Sequence, residues 1–325
     1  MRAERVYAYS DPLNDDFAGT NITTCRVGKE FRFVRSSLLW RAVSFVVYYV
    51  IAFPIVWLVA RLYLGLRFEN KKVLRQLRGK GFFLYGNHTQ ILDAFLPAIA
   101  AFPRRAYIVA GPDVVSIPGI KHLVMLLGAL PIPTEMSAMR GFLDAISLRY
   151  RQNACVAMFP EAHIWPYYTG IRPFPDTSFR YPVKENAPAV AMVVTYRKRK
   201  GLFRFLKRPG IKVSFSEIMM PDNSLTPRKA QAELRNQAFA FMDTVARSKD
   251  QIRYIRYEYI PKPTRGYPVK LKERNMPYER HEKGRKGNQG RAQTGFPQKP
   301  RGHGRSETTG PQRGKGIQEV RGRGA

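Results

Sequence analysis

Five short apolar runs limit what this chain can fold into. They are GFFLYG (81–86), RAYIVA (105–110), ACVAMFP (154–160), AVAMVVTY (189–196) and IKVSFS (211–216). Each is too short for a buried helix and has the length of a strand. Helix-length stretches lie between and after them: 91–101, about 137–152, and one opened by Thr226 with Pro227 at its first turn and running to about Arg247. Thr at the N-cap and Pro one place inside are a helix-start signature. Strands alternating with helices predict an α/β domain over 73–260. With 325 residues and a 44% hydrophobic composition, the chain has ample material for its core.

Ahead of that domain, Ala42 to Ala60 is a run of nineteen residues without a charge (AVSFVVYYVIAFPIVWLVA). That length just reaches across a bilayer. Basic residues flank both ends (Arg32, Arg35 and Arg41 before; Arg61, Arg67, Lys71 and Lys72 after), so charge bias sets no orientation. Pro54 interrupts the run, which suits a bent pair of helices lying in the membrane interface. The segment 37–72 is therefore expected to be membrane-associated and helical, as a shallow anchor, with a full span or a buried core helix as alternatives. Residues 1–36 form a polar segment with no apparent cleavable signal peptide.

The net charge of +31 is spread over the chain. From Pro261 onward there are 17 Lys+Arg against 5 Asp+Glu, a net +12; the preceding 260 residues hold 38 against 19, a net +19. Such charge implies an anionic partner: a phospholipid surface, nucleic acid or a phosphate-bearing substrate. Residues 261–325 are rich in Gly, Arg, Pro and Gln and nearly free of aliphatics, so they are expected to be a disordered basic tail. Its Arg-Gly pairs resemble nucleic-acid-binding tails; the plainer reading is a solvated tail touching membrane or ribosome. Two cysteines, Cys25 and Cys155, make no disulfide framework and no zinc spacing, and they suit a reducing, cytosolic compartment. No metal or other cofactor is expected.

YGNHTQILD (85–93) follows the first apolar run. A base working on a hydroxyl near neutral pH calls for histidine, and a carboxylate can hold the ring in one tautomer. Five residues along one helix leave His88 and Asp93 about 140° apart. They meet only if His88 lies in the turn after the strand and Asp93 in the first helical turn. Alone, His-x4-Asp is a weak signal. Seventy-three residues beyond His88, at the end of another apolar run, stands MFPEAHIWPYYTG (158–170).

With these two blocks in this order, the chain resembles the glycerolipid acyltransferase family of PlsC type, the 1-acyl-glycerol-3-phosphate acyltransferases, over about residues 40 to 250. Asn87, His88 and Asp93 match the first family block in full. LGALPIPTE resembles the second through Gly128 and Ile132, with Thr134 where an arginine is expected. Phe159, Pro160 and Glu161 match the third, which then departs: Ala162, His163 and Ile164 replace Gly, Thr and Arg. APAVAMVV (187–194) resembles the fourth. The resemblance implies a mixed sheet flanked by helices, as in glycerol-3-phosphate acyltransferases. It implies His88 as base toward a glycerol hydroxyl and Asp93 as its orienter. Backbone N–H groups at the helix start would stabilise the oxyanion. The acyl group would come from coenzyme A or acyl carrier protein and go to a lysophospholipid, without an acyl-enzyme, since no Gly-x-Ser-x-Gly elbow is present. The protein would then sit on the cytoplasmic face of the cell membrane.

In the family the two absent arginines are taken to hold the acceptor's phosphate, and a dianion buried without a cation is costly. Arg172 in TGIRPF is the first replacement expected, with Arg140, Arg180 and Lys184 as others and His163 as a further donor. Asn87 shapes the turn and, with Glu161, joins the substrate-binding set. The loss equally suits a different acceptor. Trp165, Tyr167 and Tyr168 suit an acyl channel, a headgroup contact or core packing. TYRKRKGLFRFLKRPG (195–210), with seven basic residues among Leu202, Phe203, Phe205 and Leu206, reads as a turn dipping into an anionic surface or as an ordinary basic hairpin. His122, His281 and His303 have no evident partners. Two rival readings remain: an inactive acyltransferase-like membrane scaffold with an anion-binding tail, and a lipid hydrolase using His88 to activate water.

Overall fold

The computed structural model describes residues 5–17 and 23–261. The expected tail thus lies, but for Pro261, outside the described residues. Seven strands form one mixed sheet in the order β2-β8-β7-β3-β6-β4-β5. They are β2 (Arg67–Glu69), β3 (Phe82–Gly86), β4 (Ala106–Ala110), β5 (Ala129–Pro131), β6 (Cys155–Met158), β7 (Ala189–Arg197) and β8 (Gly210–Phe215). All neighbours pair in parallel except β7 and β8, which form an antiparallel hairpin. The hairpin reverses the chain, so β2 and β8 run against the other five.

β3, β6 and most of β7 read as unbroken apolar runs because helices cover both faces. Phe83, Tyr85, Val156, Met158, Ala189 and Ala191 point into one core layer, with helices Met139–Arg151 and Pro227–Ala246. Phe82, Leu84, Cys155, Ala157, Val190 and Met192 point into the other, with helix Leu96–Ala101 and the end of the long N-terminal helix. Alternate residues of a strand face opposite ways, so both layers need apolar side chains. Every strand and helix expected within the α/β domain is present, and Thr226 and Arg247 bound the last helix as expected.

Three expectations need correction. First, residues 1–36 are not set apart from the domain: Val27 and Phe33 are buried in the first core layer, and β1 (Val6–Tyr9) pairs in parallel with β9 (Arg256–Tyr259). Second, segment 37–72 is not all helix, since β2 belongs to the main sheet. Third, Pro54 does not split the apolar run into two helices. Residues 38–62 form one continuous helix of 25 residues, with a π-helical stretch at Val46–Ala52 just before the proline. Pro54 lacks an N–H and would crowd the carbonyl four residues earlier; wider i→i+5 turns take up that mismatch without breaking the helix.

Only 11% of this helix's most apolar window is buried, which excludes a core helix. Leu38, Leu39, Val50, Ile55 and Trp57 are exposed. Its other face is tied to the domain at several points. Ser44 Oγ donates to the Leu126 carbonyl (2.8 Å) and accepts from Arg105 Nη2 (2.7 Å). The Ala106 N–H donates to the Tyr48 hydroxyl (2.9 Å), and Tyr49 donates to the Pro103 carbonyl (3.0 Å). Ala60 is buried under the sheet edge. Ser44 and Ala60 are sixteen residues apart, so the docked length is about 24 Å.

Tyr48→Phe leaves the buried Ala106 N–H without its acceptor. Thermal unfolding should show a loss of about 1–3 kcal/mol, and limited proteolysis should cut faster around Ser36–Leu39, the exposed start of the helix.

Candidate active site

His88 and Asp93 meet in the way the spacing demanded. β3 ends at Gly86, His88 sits in the turn beyond it, and Asp93 lies in the 3₁₀ turn Ile91–Phe95 that opens the next helix. His88 Nδ1 is 3.7 Å from Asp93 Oδ2. The imidazole is 14% exposed and Asp93 is buried. His88 Nδ1 makes no hydrogen bond, so the carboxylate faces an unspent ring nitrogen just outside bonding range. Such pairs tighten when substrate arrives.

Asp93 has a second task. Its Oδ2 accepts from the Thr89 N–H (2.6 Å), the Gln90 N–H (2.7 Å) and the Thr89 hydroxyl (3.2 Å), which fixes the turn holding His88. This corrects one expectation. The N–H groups of Thr89 and Gln90 at the helix start are taken by Asp93, and that of His88 by Glu161, so none of the three faces a developing oxyanion.

Asn87 shapes the turn, as expected, and does so by bridging to β7: its side chain accepts from the Val194 N–H (2.8 Å) and donates to the Val194 carbonyl (3.1 Å). Both partners are backbone, so Asn87 reads as a brace and not as a substrate contact. Phe159 stacks on the imidazole at 4.6 Å between ring centres. Gly86 gives that ring its room, since a Cβ there would lie 2.9 Å from Phe159 Cε1.

Glu161 joins the loops after β3 and β6. Its carboxylate accepts the His88 N–H (3.2 Å) and the Arg172 N–H (3.0 Å) and lies 3.6 Å from Arg172 Nη2. Burial pushes the carboxyl up, opposed chiefly by Arg172. Two backbone bonds complete the join: the Trp165 N–H donates to the His88 carbonyl (3.2 Å), and the Tyr167 N–H to the Thr89 carbonyl (3.0 Å).

Arg172 lies elsewhere than expected. It is 1% exposed. Its guanidinium serves Glu161, the carbonyls of Glu161 and His163, and the Pro12 carbonyl. It also lies over the Trp165 ring at 5.0 Å. With its donors turned to the loop itself, it is a strut under the turn that holds His88, and an incoming phosphate does not reach it in this arrangement. Arg140 is exposed at the start of helix Met139–Arg151. That helix follows β5, three strands and so roughly 14 Å from β3. It is not assembled with His88. His163 is partly exposed, with Nδ1 3.7 Å from Asp16. Thr134, in the place of a family arginine, accepts the Val27 N–H (2.9 Å) and so ties down the N-terminal segment.

Sequence reasoning missed Tyr196 and the aromatic cover. Tyr196 donates to the Thr89 hydroxyl (2.7 Å) and accepts from Gln90 Nε2 (3.2 Å), bracing the turn after β3 from β7. Its position in the unbroken run AVAMVVTY made it look like ordinary core. Trp165 is not a channel residue: it is buried, stacks on Tyr257 (5.0 Å), meets Tyr9 (4.7 Å) and Phe17 (5.2 Å), and donates to the Asp15 carbonyl (2.7 Å). A two-stranded sheet is marginal alone; these rings hold β1 and β9 against the loop after β6.

Ala162 has φ +65°. A side chain there strains the backbone, which accounts for the glycine expected at this point of the third block.

Residues 65–196 match the family model described as Acyltransferase. No curated protein matches the chain. Among solved structures, the chain is similar to the crystal structure of the 1-acyl-sn-glycerophosphate (LPA) acyltransferase, PlsC, from Thermotoga maritima. The two are 14% identical, with a TM-score of 0.45, over 68% of this chain and 88% of that one.

Replacing Arg172 by Met leaves Glu161 uncompensated in the interior. It should cost about 3–5 kcal/mol, seen as a fall of roughly 6–20 °C in Tm. Ala162→Gly should instead stabilise by about 0.5–1 kcal/mol in the same assay, as relief of the left-handed strain outweighs the entropy of glycine.

Proposed function

We propose, on the match of residues 65–196 to the Acyltransferase family model, that this chain moves a fatty acyl group from a thioester to a hydroxyl of a lysophospholipid. The acceptor that best fits the matched motif residues is 1-acyl-glycerol-3-phosphate, which would yield phosphatidic acid. The observation that carries the reading is the His88–Asp93 pair at the end of β3, with Nδ1 facing the carboxylate and the ring pressed against Phe159.

In this reading His88 takes the proton of the acceptor hydroxyl. The freed oxygen attacks the thioester carbonyl carbon and forms a tetrahedral intermediate. Its collapse makes the new C–O ester bond and breaks the C–S bond, and the imidazolium returns its proton to the departing thiolate. Asp93 stabilises the imidazolium while it exists. Glu161 and Arg172 position the turn and touch no substrate. The donor is acyl-CoA or acyl carrier protein.

The long helix would place this chemistry at a membrane. Its exposed face is apolar, and its opposite face is tied to the domain over about 24 Å, which suits a helix lying along the interface better than one crossing it. Phe205, 70% exposed among the basic residues of the β7–β8 connection, adds a second contact. The cytoplasmic face, where thioester donors are found, is the side proposed.

Thr134 and the burial of Arg172 favour one variant of this reading, in which the acceptor is a different lysolipid. The test is acyl transfer by the purified full chain in detergent or liposomes. Lysophosphatidate and a panel of other lysolipids would be offered, with both donor types. His88→Ala should keep fold and membrane binding and lose about 10²–10⁴-fold in rate. Transfer confined to another lysolipid would reassign the acceptor and keep the mechanism. No transfer to any acceptor, or an unimpaired mutant, would leave an acyltransferase-like scaffold.

A further inference from the structure

Two cavities meet at Arg61, in the last turn of the long helix. One, of about 300 Å³, is walled by Phe53, Trp57, Phe68, Ile99 and Phe102, with Lys71 and Arg61 on its rim. The other, of about 240 Å³, is lined by Arg61, Arg67, Arg197, Arg199, Lys200 and Phe203 together with short stretches of the chain after the helix. No Asp or Glu is among the residues lining either cavity.

Three arginines of the second cavity, Arg61, Arg197 and Arg199, donate to neutral groups. Arg61 donates to the Leu66 carbonyl (3.2 Å) and Arg197 to the Gly65 carbonyl (2.5 Å). Arg199 donates to the carbonyls of Tyr63, Arg208 (2.7 Å) and Pro209 (3.3 Å). Gly65, at φ +59°, leaves the space that Arg199 occupies; a Cβ there would stand 2.9 Å from its Nη1. The carbonyls orient the guanidiniums without cancelling their charge. Arg197 Nε is buried without a hydrogen-bond partner. Burial pulls Arg197 below the usual arginine range, and the neighbouring Arg67 and Arg199 add to the effect. Five cations converge here from two parts of the chain with nothing anionic in the lining.

We propose that the two cavities form one binding site for a glycerophospholipid with a terminal phosphate: the phosphate among Arg61, Arg67, Arg197, Arg199 and Lys200, and an acyl chain along Phe53, Trp57 and Phe102. Arginine forks match phosphate oxygens, and the apolar groove beside them selects an amphiphile over a free anion. The site opens where β7 ends, next to Tyr196, which hydrogen-bonds Thr89 of the catalytic turn. A phosphate held here lies at the same end of the sheet as His88. The proposal goes beyond acyl transfer, because a bilayer lipid as well as an acceptor meets the description.

The test reads binding without turnover, so its outcome is independent of the role given to His88. Soluble dihexanoyl phosphatidate is titrated into the full chain in detergent by calorimetry, beside glycerol 3-phosphate and inorganic phosphate. Arg67 and Lys200 are exposed, so Arg67→Gln with Lys200→Gln should fold normally and weaken the lipid by about tenfold to hundredfold. Arg228→Gln with Lys229→Gln, the same charge change on the exposed start of helix Pro227–Ala246, should have no effect. The lipid should bind at least tenfold tighter than glycerol 3-phosphate, because it alone buries methylenes. Equal loss in both double variants would reduce the effect to general attraction by a basic protein and overturn the site. Absence of lipid binding, or inorganic phosphate binding as tightly as the lipid, would overturn it as well.

Discussion

Two buried carboxylates organise the end of the sheet that holds His88 by accepting backbone N–H groups. Asp93 closes the turn after β3, and Glu161 ties that turn to the loop after β6. A charged acceptor bonded to backbone donors is short and strong, and it fixes the main chain, not just a rotamer. His88 therefore owes its position to the main-chain bonds that Asp93 and Glu161 accept on and beside it. Arg172 keeps the arrangement electrically tolerable, since Glu161 without it would be an isolated charge in the interior. The arginine that looked like a ligand is committed to the frame that holds His88.

The same economy governs the long helix. A proline in an apolar segment is expected to break it, and the π-helical turns ahead of Pro54 absorb the break. The helix stays whole and presents one apolar face outward while Ser44, Tyr48 and Tyr49 tie the other face down. The direction in which the apolar face points is thus set by hydrogen bonds to the domain rather than by flanking charge, which is nearly symmetric.

The parts legible in sequence were those that rest on local pattern. Strands buried on both faces have to be continuous apolar runs, so β3, β6 and β7 announced themselves. β2, β5 and β9 did not: Arg67–Glu69 and Arg256–Tyr259 are polar strands with one side in water, and Ala129–Pro131 has three residues and ends in proline. At the site, the turn-plus-first-helix-turn placement of His88 and Asp93 followed from helical geometry alone. The depth of Arg172 did not, because nothing in TGIRPF tells a surface arginine from one enclosed by residues 12, 161 and 163. Tyr196 was hidden for the opposite reason: an aromatic at the end of an apolar strand looks like core until its hydroxyl is seen to have a partner.

The pairing of β1 with β9 links residues 250 positions apart and holds the aromatic cover over the loop carrying Glu161. Chain growth on the ribosome runs in one direction, so the central sheet can assemble while β9 is still being made. Until Arg256–Tyr259 emerges, β1 has no strand to pair with, and the Trp165 ring has lost its Tyr257 face. The molecule thus couples the covering of the Glu161 loop to completion of the domain, and a chain released early lacks the ring that covers Trp165.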